Sequence, residues 1–344
     1  MITSIIYVAG HSGGHILPAI AHAQQMIEQH PEYKVGMIST DASLDCMIIG
    51  KHAIAQNHKT LHCSMPKVSN VVLRYLILLW RLFVSWCQSI YMLYQAQPKK
   101  VISMGGMISL PVCLAAWIMR IPVELYELNV QPGRAIKFLA PFADKINICF
   151  SSTASHFAQE KTQVVSYPSR FKPQDIIPQE QARAILGLQD RRTLFVLGGS
   201  QGSHDINMMM QTFVETLQSK ECHALQIIHQ TGAHDVAYMQ QVYDAKGIPA
   251  LVFAYRHDIQ VCYCAADIVI SRAGAGALQE ILFFRKPSII IPLEMVAAAH
   301  QVDNAQAYMT EAKLHNVPSV MLRQKDIVCR KQTFGETLEH MMVT

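Results

Sequence analysis

Residues 4–23 read SIIYVAGHSGGHILPAIAHA: an apolar run, a turn broken by Gly10, Gly13 and Gly14, then small and apolar residues at helical spacing. A buried strand passing through a tight loop into a helix is the opening of a βα unit. Gly13 and Gly14 let backbone N–H groups approach a ligand at the start of a helix expected near Ile16, where the helix dipole favours an anion. The same pattern recurs along the chain. KVISM (100–104) runs into Gly105 and Gly106, TLFVL (193–197) into Gly198, Gly199 and Gly202, and ADIVIS (266–271) into Gly274 and Gly276, so ten of the 17 glycines fall in four clusters. Further strands are expected at VELYE (123–127), ALQII (224–228), ALVFA (250–254) and SIIIP (288–292). Strands alternating with helices imply an α/β fold with parallel sheets covered by helices.

At 344 residues the chain has room for two doubly wound domains. The expected division is an N-terminal domain over residues 1–165, a linker over 166–178 that carries three prolines, and a C-terminal domain over 179–344. The last twenty residues, from Lys325, read as a polar helix able to pack back on the N-terminal domain. Hydrophobic residues make up 51% of the chain and charged residues 16%, which excludes a disordered protein. A net charge of +4 is far from the dense basic surface of nucleic-acid binders, so no nucleic-acid partner is expected. The nine cysteines form no CxxC pair and the N-terminus lacks a signal-peptide pattern, so reduced thiols in the cytoplasm are expected.

Charge is distributed unevenly. Between Asp45 and Glu124 there is no acidic residue, whereas Lys51, Lys59, Lys67, Arg74, Arg81, Lys99, Lys100 and Arg120 fall inside. Within this stretch, residues 71–95 read VVLRYLILLWRLFVSWCQSIYMLYQ. On a helical wheel Arg74, Arg81, Ser85, Gln88 and Gln95 form one narrow stripe and the remainder is apolar. The segment is long enough to span a bilayer, yet Arg81 and the strand that must follow at once argue for a helix lying in the interface. Trp80, Phe83 and Trp86 are the expected lipid contacts; the competing reading is a core helix buried all round.

Neither the GxGxxG fingerprint nor GxxxxGK[ST] is present, so a nicotinamide cofactor and P-loop chemistry are not indicated. His15 follows the first glycines, where a base could face a substrate hydroxyl, although a histidine merely packing at the helix start has equal claim. A zinc site on His11, His15 and His22 lacks the fixed spacing of metal ligands. Glu127 and Asn129 fall just after a strand, at the end where open α/β sheets bind ligands. Ser200 and Gln201 accompany the third glycine turn, a second phosphate site. Glu280 follows the fourth, placed to accept from ribose hydroxyls, and His300, Gln301 and Asn304 form a neutral group suited to sugar hydroxyls. No D-x-D pair occurs, so a metal-bridged diphosphate is not expected and helix ends would have to neutralise a leaving group.

In this order and spacing, GHSGGHILP, SMGG…SLP, ELN, GGSQGS, SRAGAG…QE and HQxxNA resemble the MurG family, the UDP-N-acetylglucosamine transferases that convert lipid I to lipid II in peptidoglycan synthesis. The resemblance implies the GT-B fold, two Rossmann-like domains facing across a cleft, with metal-independent, inverting transfer and no cofactor. It implies that Ser12, Gly13, Gly14, His15, Gly105, Gly106 and Asn129 face the acceptor diphosphate, with His15, or alternatively Glu127, as the base. For the donor it implies Arg170 and backbone at Arg256 near the uridine, Ser200, Gln201 and Ala275 by the phosphates, Glu280 on the ribose, and Gln301 with Asn304 on the N-acetylglucosamine ring. The implied partners are UDP-N-acetylglucosamine, lipid I and the cytoplasmic face of the cell (inner) membrane, bound peripherally. Competing readings are a UDP-sugar transferase acting on another lipid acceptor, a UDP-N-acetylglucosamine epimerase, and a nonenzymatic membrane-bound UDP-sugar sensor. The chain departs from the family pattern at His11, Ser12, Met107, Leu110, Tyr126, Leu128 and Tyr167, mostly on the acceptor side.

Overall fold

Short apolar runs with no polar alternation can be satisfied only when both faces of a sheet are covered, and that is where they lie. The computed structural model describes residues 4–10, 13–66, 68–199, 202–294, 300–324 and 332–343. They divide between Arg170 and Phe171 into two units. The division falls inside the proline-rich stretch, but Phe171 is not part of a loose tether: its ring packs edge-on against Tyr263 and Phe284 in the second unit.

The first unit carries strands β1 (Ser4–Val8), β2 (Lys34–Thr40), β3 (His58–Leu61), β4 (Lys100–Ser103), β5 (Val123–Glu127), β6 (Lys145–Ile148) and β7 (Thr162–Val164), and helices α1 (Gly13–Gln29), α2 (Ser43–Ile49), α3 (Val71–Ala96), α4 (Ser109–Ile118) and α5 (Arg134–Leu139). Its strands pair in the order β3-β2-β1-β4-β5-β6-β7, every pair parallel. The second unit carries β8 (Arg192–Leu197), β9 (Leu225–Gln230), β10 (Ala250–Phe253), β11 (Ile268–Ser271), β12 (Ser288–Ile290) and β13 (Ser319–Met321). Its helices are α6 (Gln179–Ile185), α7 (His204–Thr216), α8 (Ser219–Ala224), α9 (Val236–Ala245), α10 (Ile259–Ala265), α11 (Ala275–Phe283), α12 (His300–Leu314) and α13 (Gln332–Val343). The order is β10-β9-β8-β11-β12-β13, again parallel throughout.

Each sheet contains the doubly wound order 3-2-1-4-5-6 and therefore one point where successive connections turn opposite ways: between β1 and β4, and between β8 and β11. The four glycine clusters follow these four strands. Helix α13 buries Phe334 and Leu338 in the second unit's core, with Phe334 edge-on to Phe213. No disulfide joins the eight cysteines among the described residues.

Helix α3 inverts the usual pattern. Its buried stripe is Leu78, Ser85, Ser89 and Leu93, so Ser85, which the wheel groups with the polar stripe, points into the domain. Ser89 Oγ donates to the Ser85 carbonyl at 2.6 Å, and Cys63 Sγ lies 3.3 Å from Ser85 Oγ. The outward face carries Val72, Leu76, Leu79, Trp80 (65% exposed) and Phe83 (53%), which excludes a core helix buried all round. Of the three aromatic residues expected to meet lipid, Trp80 and Phe83 are exposed, whereas Trp86 is half-buried against the core. Arg81 Nη1 donates to the Ser64 carbonyl at 2.8 Å.

Candidate active site

At the first switch point, two loops touch through backbone. Gly106 has φ +89°, and a Cβ there would lie 2.8 Å from the Gly10 carbonyl oxygen, so only glycine lets the loops after β1 and β4 close on each other. Helix α1 starts at Gly13, earlier than expected, which places His15 in its first turn. His15 Nδ1 is 3.1 Å from the Gly10 carbonyl oxygen. A carbonyl can only accept, so Nδ1 carries the proton, and in the neutral ring Nε2 holds the lone pair. Nε2 points towards Gly105, 3.7 Å from where a Cβ of that residue would be.

At the end of β5, Glu127 is 3% exposed and both its oxygens accept from the following loop. Oε1 takes the Asn129 backbone N–H at 2.9 Å and the Asn129 side-chain amide at 3.2 Å; Oε2 takes the Gly133 N–H at 2.8 Å. Burial pushes its carboxyl above the ordinary range, against the pull of those N–H groups. Ile136, one turn into α5, packs against Gly105 and links this loop to the first two. Behind them His22 is clasped by Tyr7 (2.7 Å) and Tyr126 (2.8 Å), and burial brings its pKa down to about 4. With His15 on Gly10 and His22 on two tyrosines, the zinc reading has no support among the described residues, of which no group is suited to hold a metal; His11 lies outside them.

In the second unit, the turn after β8 presses against the end of β9. Gly202 has φ +79°, and a Cβ there would lie 2.0 Å from the Thr231 carbonyl oxygen. Gln230 Nε2 donates to the Gly199 carbonyl at 2.7 Å. Arg272, directly after β11, reaches across to Ser203 and Asp205. Helix α11 opens at Ala275 behind Gly274, and Glu280 Oε2 accepts from the hydroxyl of Tyr263 at 3.0 Å. Asn304, fully buried, donates to the Ala273 carbonyl at 3.3 Å, and Gln301 Oε1 accepts the Leu293 N–H at 3.1 Å. Arg256 Nη2 pairs with Asp258 at 2.7 Å on the loop after β10.

The structure thus gathers Gly13, Gly14, His15, Gly105, Gly106, Glu127 and Asn129 at the C-terminal ends of β1, β4 and β5, and Ala275, Glu280, Gln301 and Asn304 around those of β11 and β12. Arg170 is the half-buried final residue of the first unit. Ser12, Ser200 and Gln201 lie outside the described residues. Arg272 and Tyr263 were missed by the sequence reading.

Residues 5–148 match the glycosyltransferase family 28 N-terminal domain, and residues 193–327 match the C-terminal domain of that family. A transferase of Syntrophus aciditrophicus, named UDP-N-acetylglucosamine–N-acetylmuramyl-(pentapeptide) pyrophosphoryl-undecaprenol N-acetylglucosamine transferase, is 31% identical over 335 residues, which cover 96% of this chain and 88% of the relative. The chain belongs to the MurG family of glycosyltransferases. A second relative of the same name, from Myxococcus xanthus, is 28% identical over 342 residues, covering 98% of this chain and 85% of its own. The crystal structure of MurG from Acinetobacter baumannii superposes with a TM-score of 0.73 at 22% identity, covering 99% of this chain and 91% of that one. The fold is accordingly the two-domain α/β GT-B fold of MurG. A UDP-GlcNAc 2-epimerase from Neisseria meningitidis shares that fold more loosely, with a TM-score of 0.60 at 11% identity over 92% of this chain and 94% of its own.

Proposed function

We propose that the chain transfers N-acetylglucosamine from UDP-N-acetylglucosamine to the muramyl C4 hydroxyl of lipid I, giving lipid II with inversion at the sugar's C1. The observation that carries the reading is His15, held by the Gly10 carbonyl at a ligand-binding switch point, in a chain of the MurG family. Its Nε2 accepts the C4 hydroxyl proton as that oxygen bonds to C1 and the bond from C1 to the UDP oxygen breaks. Glu127, the other candidate base, has both oxygens committed to loop N–H groups, which suits it to fixing Asn129 and the approach to α5. The first unit takes the acceptor, its diphosphate against Ser12, Gly13, Gly14, Gly105 and Gly106.

The second unit takes the donor. Glu280, oriented by Tyr263, accepts from the ribose; Arg170 and backbone at Arg256 lie by the uridine; Ser200, Gln201 and Ala275 meet the phosphates; Gln301 and Asn304 meet the sugar. The charge on departing UDP falls on backbone N–H groups at the starts of α7 and α11, without a resident metal. Two carboxylates beside the start of α7 are already engaged, which supports this: Asp205 is paired with Arg272, and Asp235 accepts from His204 and Asn207.

The outward face of α3 rests in the cytoplasmic leaflet, where lipid I is presented. An exposed apolar patch of this extent marks an interaction surface, and its acid-free basic surroundings favour anionic headgroups. A spanning orientation would strip Ser85, Ser89 and Leu93 from the core and pull β4 out of its sheet. Calorimetric titration with UDP tests the donor site: Glu280→Ala should weaken binding by about 1.5–3 kcal/mol, as expected for a charge-assisted hydrogen bond. An unchanged dissociation constant would remove Glu280 from the site.

A further inference from the structure

We propose that Arg272 is the positioning residue of the donor-diphosphate site, its guanidinium holding Ser203 and Asp205 at the start of α7 so that the N–H groups of that helix start face the phosphates. The inference rests on the donor reading above and names what keeps that site in shape. Arg272 is 8% exposed. Its Nε donates to Ser203 Oγ at 3.0 Å and its Nη2 to Asp205 Oδ2 at 3.0 Å. Its Nη1 donates to the Ile291 carbonyl at 3.4 Å and to Gln324 Oε1 at 3.0 Å. One planar fork therefore joins the loops that leave β8, β12 and β13 to the end of β11 itself.

Two glycines of the turn after β8, Gly198 and Gly202, are closely packed. On its β9 side, Gly202 is in backbone contact with Thr231, and a Cβ on Gly198 would fall 2.6 Å from the Ser203 nitrogen. Ser203 and Asp205 flank the first residue of α7, so the direction in which that helix presents its N–H groups follows from where Arg272 holds them. A lysine would keep the charge and lose the geometry, because one ammonium cannot span acceptors on both edges of a guanidinium. The charge is also suited to the site. Its acidic partner Asp205 is half exposed, which leaves a buried cation beside the place where a diphosphate would sit.

The test is calorimetric titration of the full chain with UDP and, separately, with uridine. The ratio of the two dissociation constants reads what the phosphates contribute, and a general loss of structure would weaken both ligands alike. For Arg272→Lys, and for the milder pair Ser203→Ala with Asp205→Asn, the ratio should fall roughly ten- to a hundredfold, the penalty of a misplaced site, with uridine affinity unchanged. A parent chain that binds UDP no better than uridine overturns the phosphate reading and this inference with it. A large ratio preserved in both variants overturns the role of Arg272 alone. Parallel weakening of both ligands in both variants overturns it too, in favour of a purely structural arginine.

Discussion

His15 and Glu127 sit two loops apart and are held in opposite ways. The imidazole is anchored by the Gly10 carbonyl, which fixes its tautomer, whereas the carboxylate is the hub of a loop. His15→Ala should therefore lower kcat by about 10² to 10⁴, the usual worth of a general base, with UDP affinity and melting temperature near those of the parent. Glu127→Ala should melt earlier, since it removes three hydrogen bonds that tie the buried carboxyl to its loop, each worth about 1 kcal/mol. If Glu127→Ala keeps its melting temperature and loses only kcat, the carboxylate is the base. Two other histidines set a pH dependence of stability. Burial holds His22 at about 4 and His229 at about 3, against an ordinary 6.5. On acidification the unfolded chain takes up these protons first. Stability should thus be complete above pH 6.5 and fall between there and pH 4, by up to about 1.4 kcal/mol per pH unit for each group. Urea midpoints at pH 7.5, 6 and 5 measure this, and a flat series would contradict it. His15 was legible because glycines precede it directly. Arg272 and Tyr263 were not: their partners lie 69 and 17 residues away, and only the packed sheet brings them together.

Among the elements, the eight apolar runs read from the sequence are all strands, because strands buried on both faces must be apolar throughout. The five strands it missed are short, polar or interrupted. β3 (HKTL), β7 (TQV) and β13 (SVM) are edge strands, β6 (KINI) carries the buried polar Asn147, and β2 (KVGMIST) is interrupted by Gly36 and closes on buried Ser39 and Thr40. For α3 the composition indicated an unusual helix but did not say which way its polar stripe turns. The wheel cannot tell that small serines permit close packing against a neighbour while tryptophan faces out. Ser85→Leu or Ser89→Leu should consequently destabilise the fold by about 1–3 kcal/mol through overpacking, despite raising apolarity. Trp80→Ser with Phe83→Ser should leave the melting temperature nearly unchanged and release the chain from anionic vesicles in a sedimentation assay. Equal recovery of parent and variant with the vesicles would detach the membrane reading from this helix.

Over the whole molecule, one architecture occurs twice, and each copy places its loops where its sheet reverses order. In the proposed division of labour the first unit takes the acceptor and the second the donor, a reading supported by what those loops carry: a histidine held by a backbone carbonyl in the first, a carboxylate and glycine turns in the second. A net charge of +4 conceals an acid-free stretch that carries eight basic residues in the first unit. The central claim is that these units together move N-acetylglucosamine onto a lipid-linked muramyl sugar through helix-end electrostatics. The most direct measurement is incorporation of radiolabel from UDP-N-acetylglucosamine into a lipid I analogue in the presence of EDTA. The account predicts a labelled disaccharide lipid, formed by the parent and reduced by about 10² or more in His15→Ala. Absence of transfer with and without divalent ions, or transfer that only Mn²⁺ or Mg²⁺ restores, would contradict it.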